Sequence, residues 1–238
     1  MGKEIEAAAK TAGFDIPVII DQMHPDGTGD ESKADLSAVD VCIDFTSPDA
    51  VVANITKCAL AGKNIVVGTT GWEGSYGEVS RIIEECGVGL IFAANYSIGV
   101  RIFTKLVEYA SSLLRTYEQY DIAIQETHHT AKKDSPSGTA LWLAQRIMKT
   151  LPRKTVISSV PPDRAPSENE LIISSNRVGF TPGEHVVLLD SRADTITLKH
   201  TARGRQGFAE GALMAASWIH GKQGIFSIEE MFDDIESL

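Results

Sequence analysis

Along the first hundred residues, short apolar runs alternate with amphipathic stretches. Pro17–Asp21 (PVIID), Val41–Phe45 (VCIDF), Asn64–Gly68 (NIVVG) and Val88–Phe92 (VGLIF) are brief and rich in valine and isoleucine, and they predict buried strands. Asp49–Ala61 and Tyr76–Cys86 carry helical periodicity, the first entered through Ser47-Pro48-Asp49. Lys3–Ala12 is helical as well and precedes the first of these strands. Apolar strands alternating with helices predict parallel βαβ units.

After Asn95 the pattern changes. Val100–Leu114 predicts a helix, Tyr120–Glu126 alternates as a half-buried strand, and Gly138–Leu151 predicts a second helix. The prolines and serines between Arg153 and Asn169 predict loop. Leu171–Ser174, His185–Asp190 and Thr195–His200 predict strands in antiparallel arrangement, Phe208–His220 predicts a helix, and a short helix closes the chain. The fold class expected is a parallel α/β part followed by an α+β part.

Composition narrows the function more than the fold. The chain has 238 residues, 43% hydrophobic and 23% charged, which is ordinary for a globular protein. A formal net charge of −10 repels nucleic acid and anionic membrane, so neither is an expected partner. Three cysteines without a CxxC spacing predict no disulfide framework and fit a reducing, cytoplasmic setting. No apolar run approaches the ~18 residues of a membrane span.

The chemistry concentrates in Glu126–Ala140, ETHHTAKKDSPSGTA. His128 and Lys132 stand four residues apart directly after a strand. A reductase of an imine must protonate one atom as hydride reaches its neighbour. Histidine, with an unperturbed pKa of ~6.5, does this near neutral pH. Taken alone, HHxxKK is most simply a surface pair of histidines beside solvated lysines. The next residues change that reading. Ser137-Gly138-Thr139 open a helix, and backbone N–H groups at a helix start favour an anion that Gly138 lets approach closely. Adjacent His128 and His129 on a strand point to opposite faces, and no carboxylate follows at helical spacing, so no metal centre is expected.

The run closely resembles the signature of the 4-hydroxy-tetrahydrodipicolinate reductase (dihydrodipicolinate reductase) family of diaminopimelate and lysine biosynthesis. Asp44-Phe45-Thr46, Gly68-Thr69-Thr70-Gly71, Ala93-Ala94-Asn95-Tyr96-Ser97, Gly183-Glu184-His185 and Phe208-Ala209-Glu210-Gly211-Ala212 resemble further family landmarks in the same order. The resemblance implies a Rossmann-like nucleotide-binding domain from 1–96 and 209–238. It also implies an α+β substrate-binding and tetramerisation domain with a mixed sheet from 97–208. It implies reduction of the family's dicarboxylate substrate by NADH or NADPH in a homotetramer. His128 would be the catalytic acid and Lys132 its partner, while His129, Lys132, Gly138 and Thr139 would hold the substrate carboxylates. The nucleotide would lie along Gly2, Asp21, Phe45, Gly68, Thr69, Thr70, Ala93, Asn95 and Tyr96, with Arg205 reaching the cofactor or cleft. Asp21, followed by Gln22 rather than arginine, favours NADH, because an acid there accepts from a ribose 2′-hydroxyl.

Family members begin with a strand, a glycine-rich turn and a helix that often reads MGK. Here the sequence opens at Met1-Gly2-Lys3, so Gly2 stands for the last glycine of that turn and the first strand has no counterpart. Two expectations follow from this: a native start upstream of Met1, or a non-catalytic dicarboxylate-binding or assembly homologue with a defective nucleotide site.

Overall fold

A β-strand needs a hydrogen-bonding neighbour along its length, and that requirement decides which of the apolar runs become strands. The computed structural model describes residues 1–21, 34–159 and 164–237. In chain order its first elements are α1 (Gly2–Ala12), β1 (Val41–Asp44), α2 (Pro48–Leu60), β2 (Asn64–Val67), α3 (Tyr76–Cys86), β3 (Gly89–Phe92) and α4 (Ile98–Leu113). They are followed by β4 (Asp121–His128), α5 (Gly138–Thr150), β5 (Val156–Ser158), β6 (Glu170–Arg177), β7 (Glu184–Asp190) and β8 (Thr195–Thr201). The last are α6 (Gln206–Ile219), β9 (Gly224–Ser227) and α7 (Ile228–Glu236). These elements form two units, Met1–Ser97 with Arg205–Leu238, and Ile98–Gly204.

The first unit holds a parallel sheet in the order β1-β2-β3-β9. Its strands are short, and Ile65, Val66, Val67, Leu90 and Ile91 are buried, as expected of parallel strands covered on both faces. Val51, Ile55 and Ala59 of α2 and Val79 and Ile83 of α3 complete one core with Ile65, Val67 and Leu90. Helix α2 is entered from extended Ser47, with Pro48 in its first turn where a missing N–H costs nothing. Asn64 ties the sheet to a distant part of the chain. Its amide accepts from Gly89 N (2.8 Å) and donates to the carbonyls of Ile219 and Lys222 (2.5 and 3.1 Å).

The strand expected at Pro17–Asp21 is not formed. Among its residues only Ile20 makes an isolated bridge, so the run is extended without the continuous ladder that defines a strand. Strand β9, conversely, was not legible: four residues fused directly to the N-cap of α7 show no alternation of their own.

The second unit holds a mixed sheet in the order β5-β6-β4-β7-β8. Strands β7 and β8 are antiparallel to their neighbours, as expected, but β6 runs parallel to β4. Helix α5 lies between β4 and β6 in the chain and supplies the crossover that a parallel neighbour requires. Strand β5, within the stretch expected to be loop, is three residues long. The core joins Phe103 and Val107 of α4, Leu143 and Ile147 of α5, and Ile122, Ile124, Leu171, Ile173, Val187 and Leu189 of the sheet. Lys154, 2% exposed, is fully engaged by Asp121 (2.6 Å) and the carbonyls of Glu168 and Glu170 (2.8 Å each).

Within the first unit, a Cβ at Gly211 of α6 would fall 1.7 Å from the carbonyl oxygen of Tyr96. Backbone has to move to relieve that contact. Gly211→Ala is expected to lower stability by about 3 kcal/mol, at the upper end for overpacking, measured as a shifted denaturant midpoint at unchanged m-value.

Candidate active site

In the first unit the carboxyl ends of β1 and β2 open onto a cleft of about 350 Å³ lined by Met1, Phe45, Thr46, Pro48, Gly68, Thr69 and Thr70. Open α/β sheets bind ligands at this end. Buried Asp44 organises the two turns. It accepts from Thr46 N (3.2 Å) and Oγ1 (3.0 Å), Thr69 Oγ1 (2.6 Å) and Asn54 Nδ2 (2.6 Å). The Phe45 ring lies over Gly68 so closely that a Cβ there would be 2.0 Å from it. Trp72 Nε1 donates to Thr69 O (2.9 Å) and fixes the same turn from behind.

The sequence-nominated nucleotide residues divide. Phe45, Gly68, Thr69 and Thr70 line this cleft, and Gly2 follows Met1, which borders it. Ala93, Asn95 and Tyr96 follow β3 and are not among the lining residues. The Tyr96 hydroxyl bonds to the carbonyls of Val67 (2.9 Å) and Ile91 (3.1 Å), and burial pushes its pKa well up. Asn95 Oδ1 accepts from Ser97 N (2.8 Å). Asp21 is half-buried, Gln22 lies outside the described residues, and Arg205 is the exposed N-cap of α6.

In the second unit the inward face of β4 passes from Ile122 and Ile124 to Glu126 and His128. Period-two alternation puts all four on one side. Glu126 is 1% exposed and His128 8%. His128 Nδ1 is hydrogen-bonded to Glu126 Oε2. Glu126 Oε1 pairs with Arg177 Nη2 (2.9 Å) and accepts from Ser137 N (3.3 Å). Burial pushes the Glu126 carboxyl up, but the hydrogen bonds of Arg177, Ser175 and His128 outweigh it and hold its pKa below the ordinary value. Burial lowers the pKa of His128. Glu126 opposes that, Lys132 and Arg177 add to it, and the net shift is downward.

His185 stands opposite Glu126 in β7, its ring edge-on to His128 with centroids 5.2 Å apart. Burial first, and the neighbouring His128 second, push its pKa down to about 4. Its Nε2 is 3.1 Å from Ser137 Oγ, the N-cap oxygen that accepts from Ala140 N (3.2 Å) at the start of α5. Beyond β4, Lys132 Nζ pairs with Asp134 (2.9 Å), whose carboxyl is held low by that lysine first and also by the Gly138 backbone N–H. A side-chain carboxylate thus already engages the lysine and helix start nominated for substrate. His129 and Thr139 are half-buried, and a Cβ at exposed Gly138 would meet open space.

Glu126, His128 and His185 offer one ligand atom each within 4.8 Å of one another among the described residues. The carboxylate that completes this cluster precedes the histidines on the strand rather than following at helical spacing. The Arg177 cation also sits on Glu126, and the arrangement is a hydrogen-bonded acid–imidazole network. Sequence reasoning missed Arg177, and it named His185 only within a family-resembling run and Ser137 only at the helix start, giving neither a role at this site. The Glu-x-His spacing on one strand face was the available signal for Glu126.

A dinucleotide-type sheet in one unit and a buried imidazole with a paired carboxylate in the other define the class, an NAD(P)H-dependent α/β oxidoreductase. The match is narrower than the class. Residues 1–96 match the family description "Dihydrodipicolinate reductase, N-terminus" and residues 99–232 match "Dihydrodipicolinate reductase, C-terminus". The chain belongs to the dihydrodipicolinate reductase family. The 4-hydroxy-tetrahydrodipicolinate reductase of Christiangramia forsetii is 36% identical over 237 residues, covering 99% of this chain and 95% of the relative. That of Methanosarcina barkeri is 39% identical over 203 residues, covering 84% and 74%. In fold, the chain is similar to the dipicolinate-bound dihydrodipicolinate reductase of Paenisporosarcina, with a TM-score of 0.72 at 23% identity over 95% of this chain and 92% of that one.

The buried His185 couples stability to pH. Its folded pKa, about 4, lies below the unfolded value near 6.5, so the unfolded state takes up the proton first as pH falls. The contribution is intact above pH ~6.5 and is lost as pH falls towards 4, by up to about 3 kcal/mol. Denaturant midpoints across that window are expected to fall in the wild type and to flatten in His185→Asn.

Proposed function

We propose that the chain reduces 4-hydroxy-tetrahydrodipicolinate to tetrahydrodipicolinate with NAD(P)H, in diaminopimelate and lysine biosynthesis, and that His128 is the proton donor. The observation that carries the assignment of roles is the state of the His128 ring. Nδ1 is committed to Glu126, while Nε2 makes no hydrogen bond among the described residues and faces Gly183, where an added Cβ would sit 3.1 Å away. That nitrogen is left for a substrate atom.

Lys132 exchanges Asp134 for one substrate carboxylate, and Gly138 and Thr139 receive a carboxylate at the start of α5, with His129 alongside. The cleft in the first unit fits a dinucleotide on one explicit point. Phe45 excludes any side chain from position 68, so the turn after β2 presents backbone to the ligand, and the start of α1 borders the same space. When bound, the nucleotide supplies the hydride. Asp21 accepting from a ribose 2′-hydroxyl supports NADH over NADPH. Family resemblance supports a homotetramer joined through the sheets of the second units. Three free cysteines, and no described helix long and apolar enough to cross a membrane, support a cytoplasmic enzyme.

The test is oxidation of NADH and NADPH with freshly generated substrate. His128→Ala and Lys132→Ala are each expected to lose about 10²–10⁴-fold in kcat, the usual worth of a general acid, with circular dichroism unchanged. Wild-type rates in both variants reject the roles, and absence of binding of both NADH and NADPH in the wild type rejects catalysis by this chain.

A further inference from the structure

Glu126 is more buried than a surface acid has reason to be, and its oxygens have separate duties. Oε2 is given to His128 Nδ1. Oε1 is given to the Arg177 guanidinium at 2.9 Å and to Ser137 N at 3.3 Å. Arg177 is fixed in turn, since it occupies the position of β6 paired with His128 and donates to the carbonyls of Asn176 (2.7 Å) and Asp134 (2.5 Å). We propose that Glu126 and Arg177 are positioning residues for the proton donor. The carboxylate keeps the ring proton of neutral His128 on Nδ1 and so dedicates Nε2 to the substrate, and the guanidinium keeps that carboxylate charged and in place. The inference rests on His128 being the donor.

Three features favour this over a purely structural ion pair. A buried pair contributes little net stability compared with apolar residues of similar size. The carboxylate is aimed along the strand at one ring nitrogen. Gly183, at φ 155°, leaves the other nitrogen uncovered. An ionised acid on one nitrogen sets which tautomer is present and stabilises the imidazolium that donates. The charged or titratable groups facing His128 are Glu126 on β4, Lys132 after it, Arg177 on β6 and His185 on β7. Glu126 alone among them favours the protonated ring.

Glu126→Gln therefore moves the His128 pKa further down. Since only protonated His128 donates, the loss of kcat with rising pH is expected to begin at lower pH. At neutral pH kcat falls about 10- to 100-fold, below the full worth of an acid, with KM for the nucleotide within about twofold. A purely structural role moves stability and leaves the pH midpoint where it was. Nitrogen chemical shifts of His128 in the wild-type protein give the second readout, with the proton of the neutral ring expected on Nδ1. This measurement decides the matter if the Gln variant does not fold. A folded Glu126→Gln enzyme with wild-type kcat and pH midpoint, or a wild-type neutral ring protonated on Nε2, overturns the inference. Full turnover in His128→Ala overturns instead the donor assignment beneath it.

Discussion

Glu126 stands on the inward face of β4 next after Ile122 and Ile124, which lie in the core of the second unit. A carboxylate in that position costs several kcal/mol unless every lone pair is answered. Answering them fixes much of what surrounds it. Arg177 has to sit at the end of β6, which the parallel register of β4 and β6 provides. The start of α5 has to come close enough for Ser137 N, which sets where that helix begins. His185, across the antiparallel pairing, has to stay neutral beside two groups whose charges oppose each other. The polar end of this sheet is thus a solution to one desolvation problem, and the His128 imidazole is part of that solution.

How far the sequence could be read depended on whether the determining contacts were local. Helix α3 falls at Tyr76–Cys86, as its periodicity predicts, and β1, β2 and β3 fall within the apolar runs that predict them. The signature from Glu126 to Ala140 is likewise legible, because one strand end and one helix start carry it. What escaped depends on partners far along the chain. Arg177 and His185 reach Glu126 through strand register, which composition and spacing within the signature do not encode. The parallel direction of β6 follows from the crossover and not from its own residues. Strand β5 is only three residues long, and β9 runs directly into the N-cap of α7. Pro17–Asp21 has the composition of a strand, yet among the described residues it carries only the isolated bridge at Ile20 and no ladder.

In the first unit, residues of the family-resembling runs serve the scaffold. Asp44 and Tyr96 both belong to runs that resemble family landmarks. Asp44 gathers donors from two turns and α2, and the Tyr96 hydroxyl bonds to the carbonyls of Val67 and Ile91. Together they hold Thr46 and the turn at Gly68–Thr70 in fixed relation.

The two units also differ in how their sequence is disposed. The second is continuous from Ile98 to Gly204, whereas the first is completed only by residues after Arg205. During synthesis the outer edge of β3 has to wait for β9, while α6, seated against Tyr96 through Gly211, also emerges late. At about 5–20 residues per second the delay is on the order of ten seconds. Through that interval a nascent chain carries an open, apolar strand edge, the kind of surface on which other chains nucleate aggregates. That exposure falls on the ribosome, before the residues from Arg205 onward have been made.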